Sequence, residues 1–363
     1  MLIERLLLHD FRRFTETEFS PLPGFNLLTG DNGSGKTTIL EALHLLAHGR
    51  SFRGRVRDGL IRQGAPALQV YTEWVAPDGL RRRAGLQHAG QHWQARLDGA
   101  DVQQLGQLCE ALAVVTFEPG SHALVDGSSE VRRRFLDWGL FHVEHGFMPG
   151  WRRYSRALKQ RNALLRQRGS LSALDAWELE LATAGEALTA LRSLHVTHLQ
   201  PHLDALLPRL LPVVGEVVLE LQPGWRRQDM SLADALLLSR ERDLTVGHTT
   251  QGPHRAELRL RLRDLPGREA LSRGQTKQLA LALLLTQASL FAGLQGHWPL
   301  LQLDDMGAEL DRWHQQRLLE VLQDTGAQVF VTGTDVPSGL QQQALPVTTF
   351  HVEHGALHSR VSS

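Results

Sequence analysis

Apolar residues along this chain fall into short runs at both ends and a long periodic stretch between them. LIERLLL at 2–8 and FNLLT at 25–29 read as strands bracketing a polar turn region at 15–24. FNLLT runs directly into GDNGSGKT and then into TTILEALHLLAHG. There Ile39, Leu40, Leu43 and Leu46 recur at helical spacing and Gly49 marks the stop. Residues 68–75 and 92–97 alternate apolar and polar near a PDG turn at 77–79, the pattern of an antiparallel sheet. From about residue 128 to 240 the period becomes helical. Trp151, Tyr154, Leu158 and Leu165 fall near one face, and the rhythm persists over 171–211 until Pro201, Pro208 and Pro212 punctuate it. Residues 255–263 return to alternation, and 271–292 predict a loop followed by a helix. An apolar run into LDD at 300–305, a short helix near 312–323, a strand at 327–332 and a closing hairpin in HVEHGALHSRV complete the order.

This order predicts an α/β protein with mixed and antiparallel sheets and an inserted α-helical lobe. The head is expected over 1–127 and 241–363 and the lobe over 128–240. The outer thirds must fold together, because they carry complementary parts of one site.

Composition narrows the class. The chain has 363 residues, 42% of them apolar, which suits a globular protein with a substantial core. The longest apolar run, Leu279 to Leu285, is cut off by Thr286 and Gln287, short of the roughly 20 residues that span a membrane. Glu4, Arg5 and Asp10 interrupt the N-terminal apolar stretch, unlike a signal peptide. Cys109 is the single cysteine, so no intrachain disulfide can form. A cytoplasmic protein without a membrane partner is the expectation. Basic and acidic residues balance at 39 each, so any hold on DNA must come from local patches or assembly.

The chemistry centres on GDNGSGKT, which fits G-x-x-x-x-G-K-[ST]. Gly30, Gly33 and Gly35 allow the backbone, with Asp31, Asn32 and Ser34, to wrap around phosphate with N–H groups inward. Lys36 supplies charge to the β- and γ-phosphates of ATP, Thr37 a hydroxyl to Mg²⁺, and Thr38 continues the helix N-terminus. LLQLDD at 300–305 reads as the strand carrying the metal-side acid Asp304 and the water-activating acid Asp305. Gln302 interrupts that strand and needs a partner or the nucleotide beside it. Lys36 and Asp305 are the expected catalytic pair.

Two further segments define a class. LSRGQ at 271–275 resembles the signature loop of the ABC ATPases, which contacts the γ-phosphate held by an opposing subunit. By that resemblance Ser272, Gly274 and Gln275 join the nucleotide site in trans, although Arg273 stands where transporters mostly carry glycine. AELD at 308–311 resembles the interface loop that follows. LLLHDFRRF, RRRFLDWGLFH at 132–142, LKQRNALLRQ at 158–167, GPHRAEL at 252–258, LSRGQTKQLALAL and LDDMGAELD extend the match over nearly the whole chain. The chain thus resembles the RecF family of recombination and gap-repair ATPases, related to SMC heads. That resemblance implies an ABC-type head with a helical lobe, and an ATP-dependent homodimer on duplex or gapped DNA. It also implies RecO and RecR as partners in loading recombinase. Spacing supports it: 236 positions separate Lys36 from Ser272. A transporter nucleotide-binding domain places these elements closer, and an SMC-like DNA organiser separates them by long heptad arms that 128–240 cannot supply.

Arg50, Arg53, Arg55 and Arg57 around Phe52 are the leading DNA-contact candidates, with Arg81–Arg83 and the basic helix around Arg152, Arg153, Arg156, Lys159 and Arg161 behind them. Arg132–Arg134 sit beside an apolar segment and read as structural. His195, His198 and His202 share helical spacing, but Pro201 intervenes and no acidic or cysteine partner matches, so a metal is not expected there. His254 has no assigned role. VTGTD at 331–335 lacks the switch histidine of transporters, and Asp305 is one methylene shorter than glutamate. Together these predict slow hydrolysis used as a switch, and the resemblance implies that DNA stimulates it.

Overall fold

The computed structural model describes residues 1–54, 59–90, 92–167, 171–263, 265–337, 340, 346–353 and 355–360. In chain order it contains β1 (Leu2–Phe11), β2 (Phe14–Phe19), β3 (Phe25–Thr29), α1 (Lys36–His48), β4 (Leu68–Val75), β5 (Arg81–Ala89), β6 (His92–Leu97), β7 (Ala100–Asp101), α2 (Leu105–Ala111) and β8 (Val114–Phe117). Helices α3 (Ala123–Asp126), α4 (Ser129–Val143), α5 (Phe147–Gln167) and α6 (Leu171–Leu210) follow, then β9 (Val217–Gln222), α7 (Leu232–Val246), β10 (Glu257–Leu262) and α8 (Arg273–Gln295). The chain ends with β11 (Leu300–Leu303), α9 (Met306–Glu309), α10 (Arg312–Gln323), β12 (Val329–Gly333), β13 (Val347–Glu353) and β14 (Ala356–Arg360).

The chain divides into two compact units. One comprises 1–121, 209–211 and 281–363; the other comprises 122–208 and 212–280. The sequence pattern placed 241–280 with the outer thirds. Here that segment belongs to the helical unit, because β10 pairs antiparallel with β9 from Glu257↔Gln222 to Leu262↔Val217.

The first unit holds two sheets. The antiparallel one runs β2-β1-β4-β5-β6-β7, and β4 shows the alternating burial of a sheet with one covered face. The polar stretch read as a turn at 15–24 instead contains β2, FTETEF, paired from Leu6↔Phe19 to Phe11↔Phe14. Its buried Phe14, Thr17 and Phe19 hold it against the core despite two glutamates. The other sheet runs β14-β13-β3-β12-β11-β8, with all but β14 parallel. Every residue of β3, β11 and β12 is buried, as covered parallel strands require. Leu28, Ile39, Leu43, Phe330 and Phe350 join the two sheets and α1 in one core.

The helical unit packs Leu140, Tyr154, Leu181, Leu188, Trp225 and Leu232 around a second core. Arg132 is 1% exposed and grips Glu257 through two bonds of 2.6 and 3.1 Å, so the structural reading of this arginine holds. Arg161, read as part of a basic surface, is fully buried and bonded to Glu178, Asp243 and Thr249. His254 accepts from Tyr154 Oη at 2.6 Å and gives its Nε2–H to Thr249 O at 3.0 Å, which fixes the neutral Nε2–H tautomer. No group of His, Cys, Asp and Glu suited to a metal occurs among the described residues. Helix α8 is long and apolar enough to cross a membrane, but 67% of its most apolar stretch is buried inside the protein. It is a core helix here.

Candidate nucleotide site

Strands β8, β11, β12 and β3 are neighbours and parallel, so their C-terminal ends meet along one edge of the sheet. That edge is where open α/β sheets bind ligands. The end of β3 delivers Gly30–Lys36, that of β11 Asp304 and Asp305, that of β12 Thr332, and that of β8 Glu118. Asp304 N donates to Phe117 O at 2.8 Å, which fixes Glu118 beside Asp304.

The loop from β3 to α1 takes the backbone that its glycines permit. Gly35, at φ 121°, has the Phe14 ring 2.7 Å from where a Cβ would stand. Gly30, at φ 143°, would place a Cβ 2.2 Å from Val352 O. Any larger residue would push the loop off both neighbours. A cavity of about 630 Å³ opens over this loop. Among its walls are Asn32, Gly33, Gly35, Lys36, Thr37, Thr38, Asp304, Asp305 and Arg53, all singled out in the sequence. Arg12, Arg13, Phe52, Glu118, Pro119 and Thr332 also line it.

The polar groups are set for an anion with a hard cation. Lys36 Nζ donates to Gly30 O at 2.6 Å and Asp31 O at 2.8 Å. Burial lowers its pKa, with Asp305, Asp304 and Asp31 opposing that effect. Thr37 Oγ1 donates to Asp304 Oδ1 at 2.8 Å, and Thr332 Oγ1 donates to the same oxygen at 2.7 Å. Burial raises the pKa of Asp304, while those two hydroxyls pull it down and Asp305 pushes it further up. A desolvated carboxylate next to a hydroxyl, both hard oxygen donors, fits Mg²⁺ completed by phosphate and water. Asp305 has left-handed backbone angles, φ 53° and ψ 43°, uncommon for a residue with a Cβ. Its N–H donates to Thr332 Oγ1 at 2.8 Å, so one threonine ties both acids to β12. Strain of this kind persists only where the surroundings hold it, and it gathers at functional sites.

Gln302 is fully buried beneath this edge and accepts from Thr116 Oγ1 at 2.9 Å, so it finds a partner in the core. Ser272, Gly274 and Gln275 belong to the other unit and are not among the walls of this cavity. There Ser272 Oγ accepts from Gln275 N at 3.2 Å and Gln275 Oε1 accepts from Ser272 N at 2.8 Å. This is a capping box that starts α8. Of the four DNA-contact candidates, Arg53 lines this cavity and Arg50 follows α1, while Arg55 and Arg57 lie outside the described residues. Arg82 pairs with Asp98 at 2.8 Å, Arg81 with Glu4 at 3.3 Å, and Arg153 with Glu180.

Sequence reasoning missed Arg12, Arg13 and Phe52 as cavity walls and gave no role to Thr332 within VTGTD. The glycine-rich loop and the parallel strand ends fix a family-level arrangement, and the chain matches the RecF/RecN/SMC N-terminal domain family over residues 2–356. The chain belongs to that family. Within it, the chain is 59% identical over 361 residues to the DNA replication and repair protein RecF of Stenotrophomonas maltophilia, covering 98% of this chain and 99% of that one. It is 38% identical over 362 residues to the RecF protein of Stutzerimonas stutzeri, covering 98% and 97%. Its fold matches that of the recombination mediator protein RecF-ATP of the RecFOR pathway with a TM-score of 0.87 at 23% identity, over 99% of this chain and 97% of that chain. An Smc head domain from Pyrococcus furiosus gives 0.60 at 15% identity, over 100% and 96%. The RecF/RecN/SMC fold thus embeds the cavity.

Proposed function

We propose that this chain is an ATP-switched, DNA-binding recombination mediator that acts with RecO and RecR at gaps during repair and replication restart in the cytoplasm. The names of its RecF relatives support the biological role. The observation that carries the nucleotide chemistry is the Thr37–Asp304 contact of 2.8 Å beside Lys36. Lys36 leaves its carbonyl partners for the β- and γ-phosphates. Thr37 and Asp304 hold Mg²⁺, which supplies charge neutralisation to the phosphates. Asp305 orients and deprotonates the attacking water, and Thr332 keeps both acids in register. Within this reading the sheet unit is the ATPase head and the helical unit the inserted lobe. Arg50, with Arg55 and Arg57, contacts DNA phosphates, and hydrolysis is slow and DNA-stimulated.

A second copy completes the site. Ser272 caps α8 by accepting a hydrogen bond, which leaves its O–H to donate to a γ-phosphate held by the opposing protomer. Two ATP molecules are then sandwiched between P-loops and LSRGQ loops, and hydrolysis opens the dimer.

Sedimentation with and without ATP tests this reading through a mixing experiment. Lys36→Met loses a charge-assisted phosphate contact of about 1.5–3 kcal/mol and binds ATP at least about tenfold more weakly. Ser272→Arg binds ATP as the wild type does but stays monomeric. Mixing the two variants restores some ATP-dependent association, because one supplies the P-loop and the other the LSRGQ loop. If Ser272→Arg dimerises with ATP on its own, the trans-capping mechanism is wrong.

A further inference from the structure

Glu41 lies on α1, the helix whose N-terminus faces the cavity, and it is a carboxylate with no exposed surface. Burying a lone carboxylate is costly unless cations and hydrogen bonds compensate it. Arg12 does so with two bonds, Nη2 to Oε1 at 2.6 Å and Nε to Oε2 at 3.0 Å. Ser51 Oγ donates to Glu41 as well, and Arg53 N donates to Ser51 Oγ at 2.9 Å. The Arg53 guanidinium stands 3.9 Å from Glu41, too far for a hydrogen bond, and is 47% exposed.

Further contacts tie Leu60 and Arg62 to the turn that carries Arg12. Arg12 sits at φ 57° in the turn between β1 and β2, and its N–H donates to Leu60 O at 2.7 Å. Arg62 N donates to Asp10 O at 2.8 Å, and the Arg62 side chain pairs with Asp10 at 2.6 Å. The segment that leaves α1 at Ser51 is therefore anchored to Glu41 at its start and, through Arg12, to the same carboxylate at its return. Arg12 and Arg53 both face the cavity. Of the two, only Arg53 has a side chain without a hydrogen bond to Glu41.

We propose that Glu41 is a positioning residue that couples nucleotide occupancy to the Ser51–Arg53 stretch after α1, with the Arg53 side chain as the moving part. The inference rests on the nucleotide reading above. A triphosphate in the cavity competes with Glu41 for the Arg53 guanidinium. The Ser51 tether holds the Arg53 backbone in place, so that only the side chain swings inward. Arg12, held by two bonds, stays.

Trypsin cleavage after Arg53, followed by mass spectrometry in the full-length protein, reads this movement. The protein is kept at concentrations where sedimentation shows monomer, and ATP binding is measured separately by calorimetry. In the wild type, saturating ATP slows cleavage after Arg53 by at least about fivefold, within the usual range of a coupling between sites. In Ser51→Ala, ATP still binds but slows cleavage less than about twofold, whereas in Glu41→Gln, which removes the competing carboxylate, cleavage without ATP is faster and ATP slows it more than in the wild type. Should Glu41→Gln lose its near-ultraviolet circular dichroism, Ser51→Ala decides alone, since it leaves the Arg12–Glu41 pair intact. ATP binding to the wild type without protection of Arg53, or wild-type protection in the folded variants, overturns the inference. Absence of ATP binding to the wild type overturns the nucleotide reading instead.

Discussion

Arg161 in the helical unit and Lys36 in the sheet unit are both buried cations, yet their surroundings differ in kind. Arg161 meets Glu178 Oε1 at 2.8 and 3.1 Å, Asp243 at 2.7 Å and Thr249 at 2.8 Å. Asp243 in turn accepts from Thr250 N at 3.0 Å and Thr250 Oγ1 at 2.6 Å, and Glu178 accepts from Arg240. Lys36 meets two loop carbonyls, while three carboxylates act on it only through space. The first arrangement is closed: charge is matched by charge, and nothing is left to offer a ligand. The second holds its cation with neutral acceptors that a phosphate can replace. Burial of charge alone does not mark a functional site. What sets Lys36 apart is a buried charge whose partners are weaker than those a phosphate would bring.

The comparison can be broken most severely at Arg161. Arg161→Leu leaves Glu178 and Asp243 buried without their shared cation, which costs about 3–5 kcal/mol. Urea unfolding should shift by that amount, and hydrogen exchange should rise first over 122–208 and 212–280. A loss below about 1 kcal/mol would mean that the network is no tighter than a surface pair.

Why Arg161 was misread from sequence is instructive. WRRYSRALKQR carries five cations in eleven residues, and nothing local separates an inward one from the rest. Its partners arrive from 17, 82 and 88 positions away. The same limit hid β9, which needs β10 to exist, and with it the boundary of the helical unit. It also hid the placing of Glu118, which stands beside Asp304 only because β8 pairs with β11. The P-loop was legible because its chemistry and its backbone demands share eight consecutive residues. LDD was legible because an apolar strand ending in acids has few other readings. LSRGQ was legible as a motif, but its local role as a helix cap shows only in the hydrogen bonds of Ser272 and Gln275.

A smaller effect sharpens the comparison with protons. Burial pushes the pKa of His254 in the helical unit, and of His48 in the sheet unit, down to about 4 from 6.5. The unfolded chain protonates these rings near 6.5, whereas the fold resists until about 4. Stability from this source is complete above 6.5 and is lost as pH falls towards 4, by at most about 1.4 kcal/mol per pH unit for each histidine. Asp304 and Asp137, whose pKa values burial raises, act in the opposite sense from 3.8 upward, so single variants carry the test better than the wild-type slope. His254→Gln should flatten the acid dependence of exchange in the helical unit alone, and His48→Gln that of the sheet unit alone. An unchanged slope in either variant would show that the fold does not shift the titration of that imidazole.

The smallest effect is expected at Gln302, the counterpart of Arg161 within the sheet unit. Both side chains are fully buried and polar, but Gln302 is only half satisfied. Its Oε1 accepts from Thr116 Oγ1, and its Nε2 has no partner among the described residues. Thr116 Oγ1 also meets His44 Nδ1 at 2.9 Å, and His44 stacks on His48 at 3.9 Å. Removing the amide forfeits one hydrogen bond, worth about 1 kcal/mol, and relieves an orphaned donor that costs about 1–3 kcal/mol. Gln302→Leu should therefore leave stability unchanged or raise it by up to about 2 kcal/mol, because Thr116 keeps His44 as a partner. Thr116→Val should cost more, since it orphans both the Gln302 carbonyl and the His44 ring nitrogen at once. Urea midpoints for the two variants decide the matter. If Gln302→Leu is the worse of the pair, the Gln302 amide has a partner that its hydrogen bonds in this fold do not reveal, and the polar line beneath the nucleotide cavity is as closed as the one around Arg161.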